Sequence, residues 1–238
     1  MSDGPLLSVR ALEAWYGRAQ VLFGIDLEVG NGEVVALMGR NGAGKSTTMK
    51  AIMGLLAARR GEVRFDGRRI DGLPPFRINR CGIGYVPEDR RVFTDLTVLE
   101  NLEVGRRPPR AGAPQWTPQR LFQLFPNLGA MPERPGGSMS GGEQQMLTVA
   151  RTLMGNPRLV LLDEPSEGVA PLIVEQMAEM ILELKKQGLS VLLSEQNAAF
   201  AAAVSDRAFV LEKGQLRYSG SMAELQGDEA ARRQYLAL

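Results

Sequence analysis

The sequence predicts an α/β fold built around one strand, loop and helix, with an antiparallel β section at its start and a helical section inserted part-way. Three observations predict it. Val34 to Met38 is a continuous apolar run, and Gly39 to Ser46 after it fits G-x-x-x-x-G-K-[ST] at every fixed position. Leu159–Leu162 and Ser190–Leu193 are two further short apolar runs, each ending in acidic or polar residues, as strands buried on both faces do. Residues 89–138 break this pattern with helix-sized pieces separated by prolines from Pro108 to Pro135.

The elements follow in order. Residues 6–13 and 21–29 alternate loosely, and Asn31-Gly32 separates the second run from Val34, so the opening reads as antiparallel strands feeding the loop strand. Tyr16 sits on the turn between the first two runs, where an aromatic ring packs or stacks on a base. Met49, Ile52, Met53 and Leu56 give the helix after the loop a core-facing stripe. Gly61–Asp66 and Arg68–Ile70 flank Gly67 as a hairpin, and Ile83–Val86 is a buried strand ending in Pro87-Glu88. Thr97–Val104 and Pro118–Phe125 are helical, the second with Thr117 as N-cap and Pro118 at its first position. The arginines at 106, 107 and 110 read as a solvated loop. Ser140 with Glu143 three residues on is a capping box, opening a helix whose stripe runs from Met146 to Met154 and stops at Gly155-Asn156-Pro157. Arg207–Leu211, a turn at Lys213-Gly214, Gln215–Tyr218 and a terminal helix end the chain.

Composition narrows the class. With 238 residues, 44% hydrophobic and 23% charged, the chain has the make-up of a soluble globular protein with a sizeable core. A net charge of +1 gives no global field for nucleic acid or acidic lipid. The single cysteine, Cys81, excludes an internal disulfide and reads as filler beside a strand. With no histidine anywhere, an imidazole base and a His-rich metal site are excluded. Met-Ser-Asp-Gly-Pro lacks the features of a signal peptide, and apolar runs such as Ala198–Val204 fall short of the ~20 residues that span a bilayer. The expectation is a cytoplasmic protein that meets a membrane through a partner.

The chemistry is written in short motifs. Gly39, Gly42 and Gly44 let the backbone turn its N–H groups onto phosphate oxygens, and the following helix directs its positive end at the same anion. Lys45 reaches the β- and γ-phosphates and the Ser46 hydroxyl ligates Mg²⁺. Asp163, at the end of its strand, is the expected second ligand of Mg²⁺, and Glu164 is placed to orient a water for attack on the γ-phosphate. Gly141 and Gly142, costly just inside a helix, suit close approach by an anion.

GRNGAGKS, MSGGEQQ and LVLLDEP, in that order, resemble the ATP-binding subunit of ABC transporters, and the resemblance spans the chain. It implies one domain over 1–238 with a P-loop NTPase core: a nucleotide-binding core with β subdomain at 1–88 and 157–238, and a helical subdomain at 89–156. It implies ATP and Mg²⁺ as cofactors, Tyr16 stacked on adenine, and Arg40, Asn41, Ala43 and Thr47 in the loop around the phosphates. Ser140 to Glu143 match the signature that caps ATP held by the opposite subunit, so a second ABC ATPase, related or identical, is an expected partner. Residues 89–138 match the section that touches integral membrane permease subunits, placing the chain on the cytoplasmic face, with a solute-binding protein acting indirectly. Glu88, Ala170 and Gln196 replace the family's usual glutamine, aspartate and histidine. With VPEDRRVFTDLTVLENL they resemble the ATPase of branched-chain amino acid importers; related importers of urea, amides or aromatic acids share much of the pattern. On this reading Glu88 senses Mg²⁺ or water, and Gln196 hydrogen-bonds the γ-phosphate through its amide but cannot act as an acid or base.

Two other classes stay open. A soluble ABC protein of DNA repair or translation needs tandem cassettes or a long coiled-coil insertion, and one compact cassette shows neither. A catalytically weak, structural nucleotide-binding subunit is suggested by Glu88, Ala170 and Gln196, and opposed by intact Lys45, Ser46, Asp163 and Glu164.

Overall fold

The computed structural model describes residues 4–231, 233 and 234. The opening Met-Ser-Asp, read above for a leader, and residues 235–238 of the expected terminal helix lie outside the described residues. β1 (Leu7–Tyr16) and β2 (Ala19–Val29) form a hairpin, β3 (Val34–Met38) leads to α1 (Lys45–Ile52), and β4 (Arg59–Phe65) pairs with β5 (Arg68–Arg69). α2 (Pro75–Cys81) and β6 (Ile83–Val86) follow, then α3 (Val98–Gly105), α4 (Pro118–Leu124), α5 (Pro126–Gly129) and α6 (Gly141–Leu153). The last part alternates: β7 (Leu159–Asp163), α7 (Pro171–Lys186), β8 (Ser190–Glu195), α8 (Ala198–Val204), β9 (Arg207–Glu212), β10 (Gln215–Ser221) and α9 (Met222–Gly227).

Two sheets result. One is antiparallel, in the order β2-β1-β4-β5; the other runs β10-β9-β3-β8-β7-β6, with five parallel strands and β10 antiparallel on its edge. Residues of β3, β7 and β8 are buried throughout, as their unbroken apolar runs require in a sheet covered on both faces. Val35, Leu37, Leu161 and Leu192 face a core that holds Met49 and Ile52 of α1 and the inner face of the antiparallel sheet. Helix α1 is therefore clasped between the two sheets. Val34, Val160, Leu162 and Leu193 face the other way, into a core shared with α3, α4, α6 and α7.

The helical layer is held backbone to backbone. A Cβ on Gly105 would overlap the carbonyl oxygen of Arg151, so only glycine lets α3 lie this close to α6. Asn101, fully buried on α3, accepts from Phe93 N–H and donates to the carbonyls of Phe93 and Leu96. Arg151 lays its guanidinium over the Phe93 ring, 4.9 Å from its centre.

Four local expectations change. Asn31-Gly32 turns the chain, but β2 and β3 belong to different sheets and do not form a hairpin. The reason is long-range: Gly32 N–H donates to Ser190 Oγ on β8 at 2.8 Å, and Arg158 reaches Asn31 Oδ1, which carries the turn from one layer to the other. Helix α1 ends at Ile52, leaving Leu56 in the connection beyond it. Arg110 is a brace rather than a solvated cation, donating to the carbonyls of Arg80 and Asn156. Cys81 is an exposed free thiol at the end of α2.

Candidate active site

The loop after β3 is shaped by what lies beneath it. A Cβ on Gly39 would overlap the Leu211 carbonyl oxygen, and Gly44, at φ 110°, would place one 2.8 Å from Leu22 Cδ2. Gly44 caps α1 without a side-chain hydrogen bond, and no acidic residue occupies the first turn. The N–H groups there are left to an anion. Lys45, 4% exposed, donates to the carbonyls of Gly39 (2.7 Å) and Arg40 (3.2 Å), and its Nζ lies 2.8 Å from Glu164 Oε1.

Asn41, Gly42, Gly44, Lys45, Ser46, Thr47, Glu88, Glu164 and Glu167 line one cleft of about 340 Å³. Burial pushes the Glu88 carboxyl above the usual carboxylate range, reinforced by the charges of Glu167, Asp163 and Glu164. A group of carboxylates beside a phosphate loop is eased by a cation. Magnesium takes hard oxygen donors. The Ser46 hydroxyl, which makes no hydrogen bond among the described residues, and the Glu88 carboxylate offer them in the cleft. Asp163 lies behind it, 1% exposed, with Oδ1 accepting from Ser194 Oγ at 2.7 Å and Oδ2 from the Tyr85 hydroxyl at 3.0 Å. Burial and that carboxylate push the Tyr85 phenol well up, so it stays a donor. Glu164 adopts φ 48°, and its N–H donates to Ser194 O and Oγ, which turns its side chain toward Lys45.

Other predicted residues lie apart. Gln196 accepts from Asn41 N–H at 3.2 Å and lines a larger cavity of about 540 Å³ on the loop's other side, with Gly39, Arg40, Ala43 and Leu211. That cavity lacks Glu164 and Ser46. Tyr16, 47% exposed, ends β1 on the same hairpin as Val21, which does line the cleft. Ser140 caps α6 as read: Glu143 N–H donates to its Oγ, and its own N–H donates to Glu143 Oε2 at 2.7 Å. A Cβ on Gly142 would come 2.8 Å from Ile173, whereas one on Gly141 would meet only the tip of the flexible Arg90 side chain. Arg90 also donates to Gly168 O at 3.4 Å, joining the section after Glu88 to α6 and to the loop after Glu164.

Three residues that hold this site went unread in the sequence: Tyr85, Ser194 and Glu195. Only the position of each at a strand end beside a motif signals it. Glu195 is 1% exposed and ties two loops through backbone N–H groups.

A phosphate loop on the parallel part of a six-stranded sheet, an acidic pair at the end of β7 one strand removed from β3, and a capped serine-glycine-glycine helix define an ATP-binding cassette. Residues 22–167 match the ABC transporter family model, and the chain belongs to that family, as an ATPase. It is 43% identical to the high-affinity branched-chain amino acid transport ATP-binding protein BraG of Pseudomonas aeruginosa, over 97% of this chain and 99% of BraG. It is 33% identical to the lipopolysaccharide export system ATP-binding protein LptB of Haemophilus influenzae, over 97% of both chains. The ADP conformation of the ATP-binding cassette MJ1267 superposes with a TM-score of 0.80 at 27% identity, covering 97% of this chain and 98% of that one.

Proposed function

We propose that this chain is the ATP-hydrolysing subunit of an importer of branched-chain amino acids or a related small polar solute, working through separate permease subunits on the cytoplasmic face of the membrane. The observation that carries it is the 43% identity to BraG along essentially the whole chain, against 33% to LptB. Among the described residues no helix is long and apolar enough to cross a membrane, which supports attachment through a partner.

In this reading the N–H groups of Arg40 to Thr47 and the Lys45 ammonium hold the phosphates of ATP, and Tyr16 stacks on its base. Ser46, Asp163 and Glu88 would hold Mg²⁺, which would neutralise charge on the phosphates. Glu164 takes the proton of the attacking water. Ser140 to Glu143 serve the ATP of a second ATPase subunit, and Gln196 turns its amide from Asn41 to the γ-phosphate. The helical subdomain is residues 89–156, set on a core of 1–88 and 157–238. Its section 89–138 docks the permease, with Phe93, 47% exposed, and Leu96 as contacts.

The test is the chain co-purified with its permease and reconstituted with solute-binding protein. Leucine should stimulate ATP hydrolysis and enter the vesicles. Phe93→Ala should leave ATP affinity within about twofold while uptake per ATP falls roughly tenfold, the scale of a lost aromatic anchor. A second reading, export of a lipid-linked solute, is favoured by the match to LptB. Stimulation by lipopolysaccharide with indifference to leucine would decide for it.

A further inference from the structure

Glu195 is the last residue of β8 and pairs in register with Met38, the last residue of β3. It is 1% exposed and has no ion pair among the described residues. A buried carboxylate without a cation is costly unless hydrogen bonds satisfy it. Here they come from two directions. Oε1 accepts from Ser166 N–H at 3.1 Å, in the loop that follows Glu164. Oε2 accepts from Gln196 N–H at 3.0 Å and Asn197 N–H at 2.9 Å, at the start of the loop leading into α8. Gln196 in turn accepts from Asn41 of the phosphate loop. One side chain thus joins the loop of Glu164 to the loop of Gln196, and through it to the phosphate loop.

The residue type is dictated by this bridge. A carboxylate has acceptors on both oxygens, whereas an amide presents one acceptor and one donor. Glutamine at 195 would turn an NH₂ toward either Ser166 N–H or the N–H pair of Gln196 and Asn197, and one side must come loose. Burial raises the pKa of Glu195, against the pull of these donors. That opposition is the expense of keeping a charge where an apolar side chain would pack.

We propose that Glu195 is a positioning residue for ATP hydrolysis, fixing Glu164 and Gln196 at a set separation so that both reach the attacking water and γ-phosphate together. The inference rests on the roles given to Glu164 and Gln196 above. It adds a residue that touches neither nucleotide nor water, yet sets the geometry of two that do.

The experiment uses Glu195→Gln in the co-purified ATPase–permease assembly. The expected result is a split: kcat for ATP falls about 10–100-fold, the range for a misplaced catalytic group, while KM and ADP affinity stay within about twofold. Combining Glu195→Gln with Gln196→Ala should cost much less than the product of the two single effects, because both act through one unit. Hydrogen exchange should show the Ser166 amide, or those of Gln196 and Asn197, losing protection. Glu195→Asp, which keeps both acceptors on a shorter stem, should fall between wild type and Gln, and serves if the Gln variant does not fold. Wild-type kcat in Glu195→Gln with those amides deprotected would overturn the proposal, as would strictly additive losses. Absence of turnover in the wild-type assembly would instead overturn the hydrolytic reading, with the exchange measurement still deciding whether Glu195 binds the two loops.

Discussion

Lys45 and Glu164 hold each other at the floor of the cleft, their side chains 3% and 6% exposed. Removing one partner of so buried a pair leaves the other charge without compensation. Lys45→Ala should therefore abolish nucleotide binding and also destabilise the nucleotide-free chain by about 3–5 kcal/mol in denaturant unfolding. Adding Glu164→Gln should restore most of the stability and none of the binding. Equal stability of wild type and Lys45→Ala would mean that water screens the pair. At this scale the loop was legible, because an anion site needs a fixed order of glycines, lysine and hydroxyl. The sequence cannot show that Gly142 makes room for Ile173, which arrives from a distant part of the chain. Nor can it show that the Gln196 amide lies on the loop's other side, held by Asn41.

Helix α6 shows what an element reveals about itself. Its capping box is local, so Ser140 and Glu143 announce it in sequence and the structure repeats it. The Ser140 N–H holds the Glu143 carboxyl below its ordinary 4.5. A group depressed in the folded state contributes its stability above the unfolded value, and loses it as pH falls through the folded one. Between about pH 5 and pH 3 the wild type should therefore lose more stability than Glu143→Gln, by roughly 0.5–1 kcal/mol, the worth of a cap. Glutamine keeps the acceptor and removes the titration, so parallel pH profiles of Tm would refute this. Elements whose partners are remote read less well. Asn31-Gly32 has hairpin chemistry, but the choice of sheet is made by Ser190 and Arg158, more than a hundred residues away.

At the scale of the molecule, neither Ser140 nor Glu143 lines the cleft, and the proposed site takes these residues from a second subunit. Glu164→Gln should cut turnover by about 10²–10⁴ while keeping ATP bound. In the presence of ATP and Mg²⁺ it should elute as a dimer, alone or with a related ATPase, the nucleotide held between Gly39–Ser46 of one chain and Ser140–Glu143 of the other. No ATP-dependent shift in either preparation would sink the shared-site model. The order of the parallel strands was not legible, since each strand reads alike when both faces are covered.

The close approach of Gly105 to the Arg151 carbonyl sets α3 against α6 backbone to backbone. Asn101 fastens Phe93 to α3, and the Arg151 guanidinium of α6 stacks on the ring. Ser140 stands at the far end of α6, about 20 Å along a helix of its length. A force applied at Phe93 is therefore expected to travel toward Ser140 through two helices in backbone contact rather than through a loop.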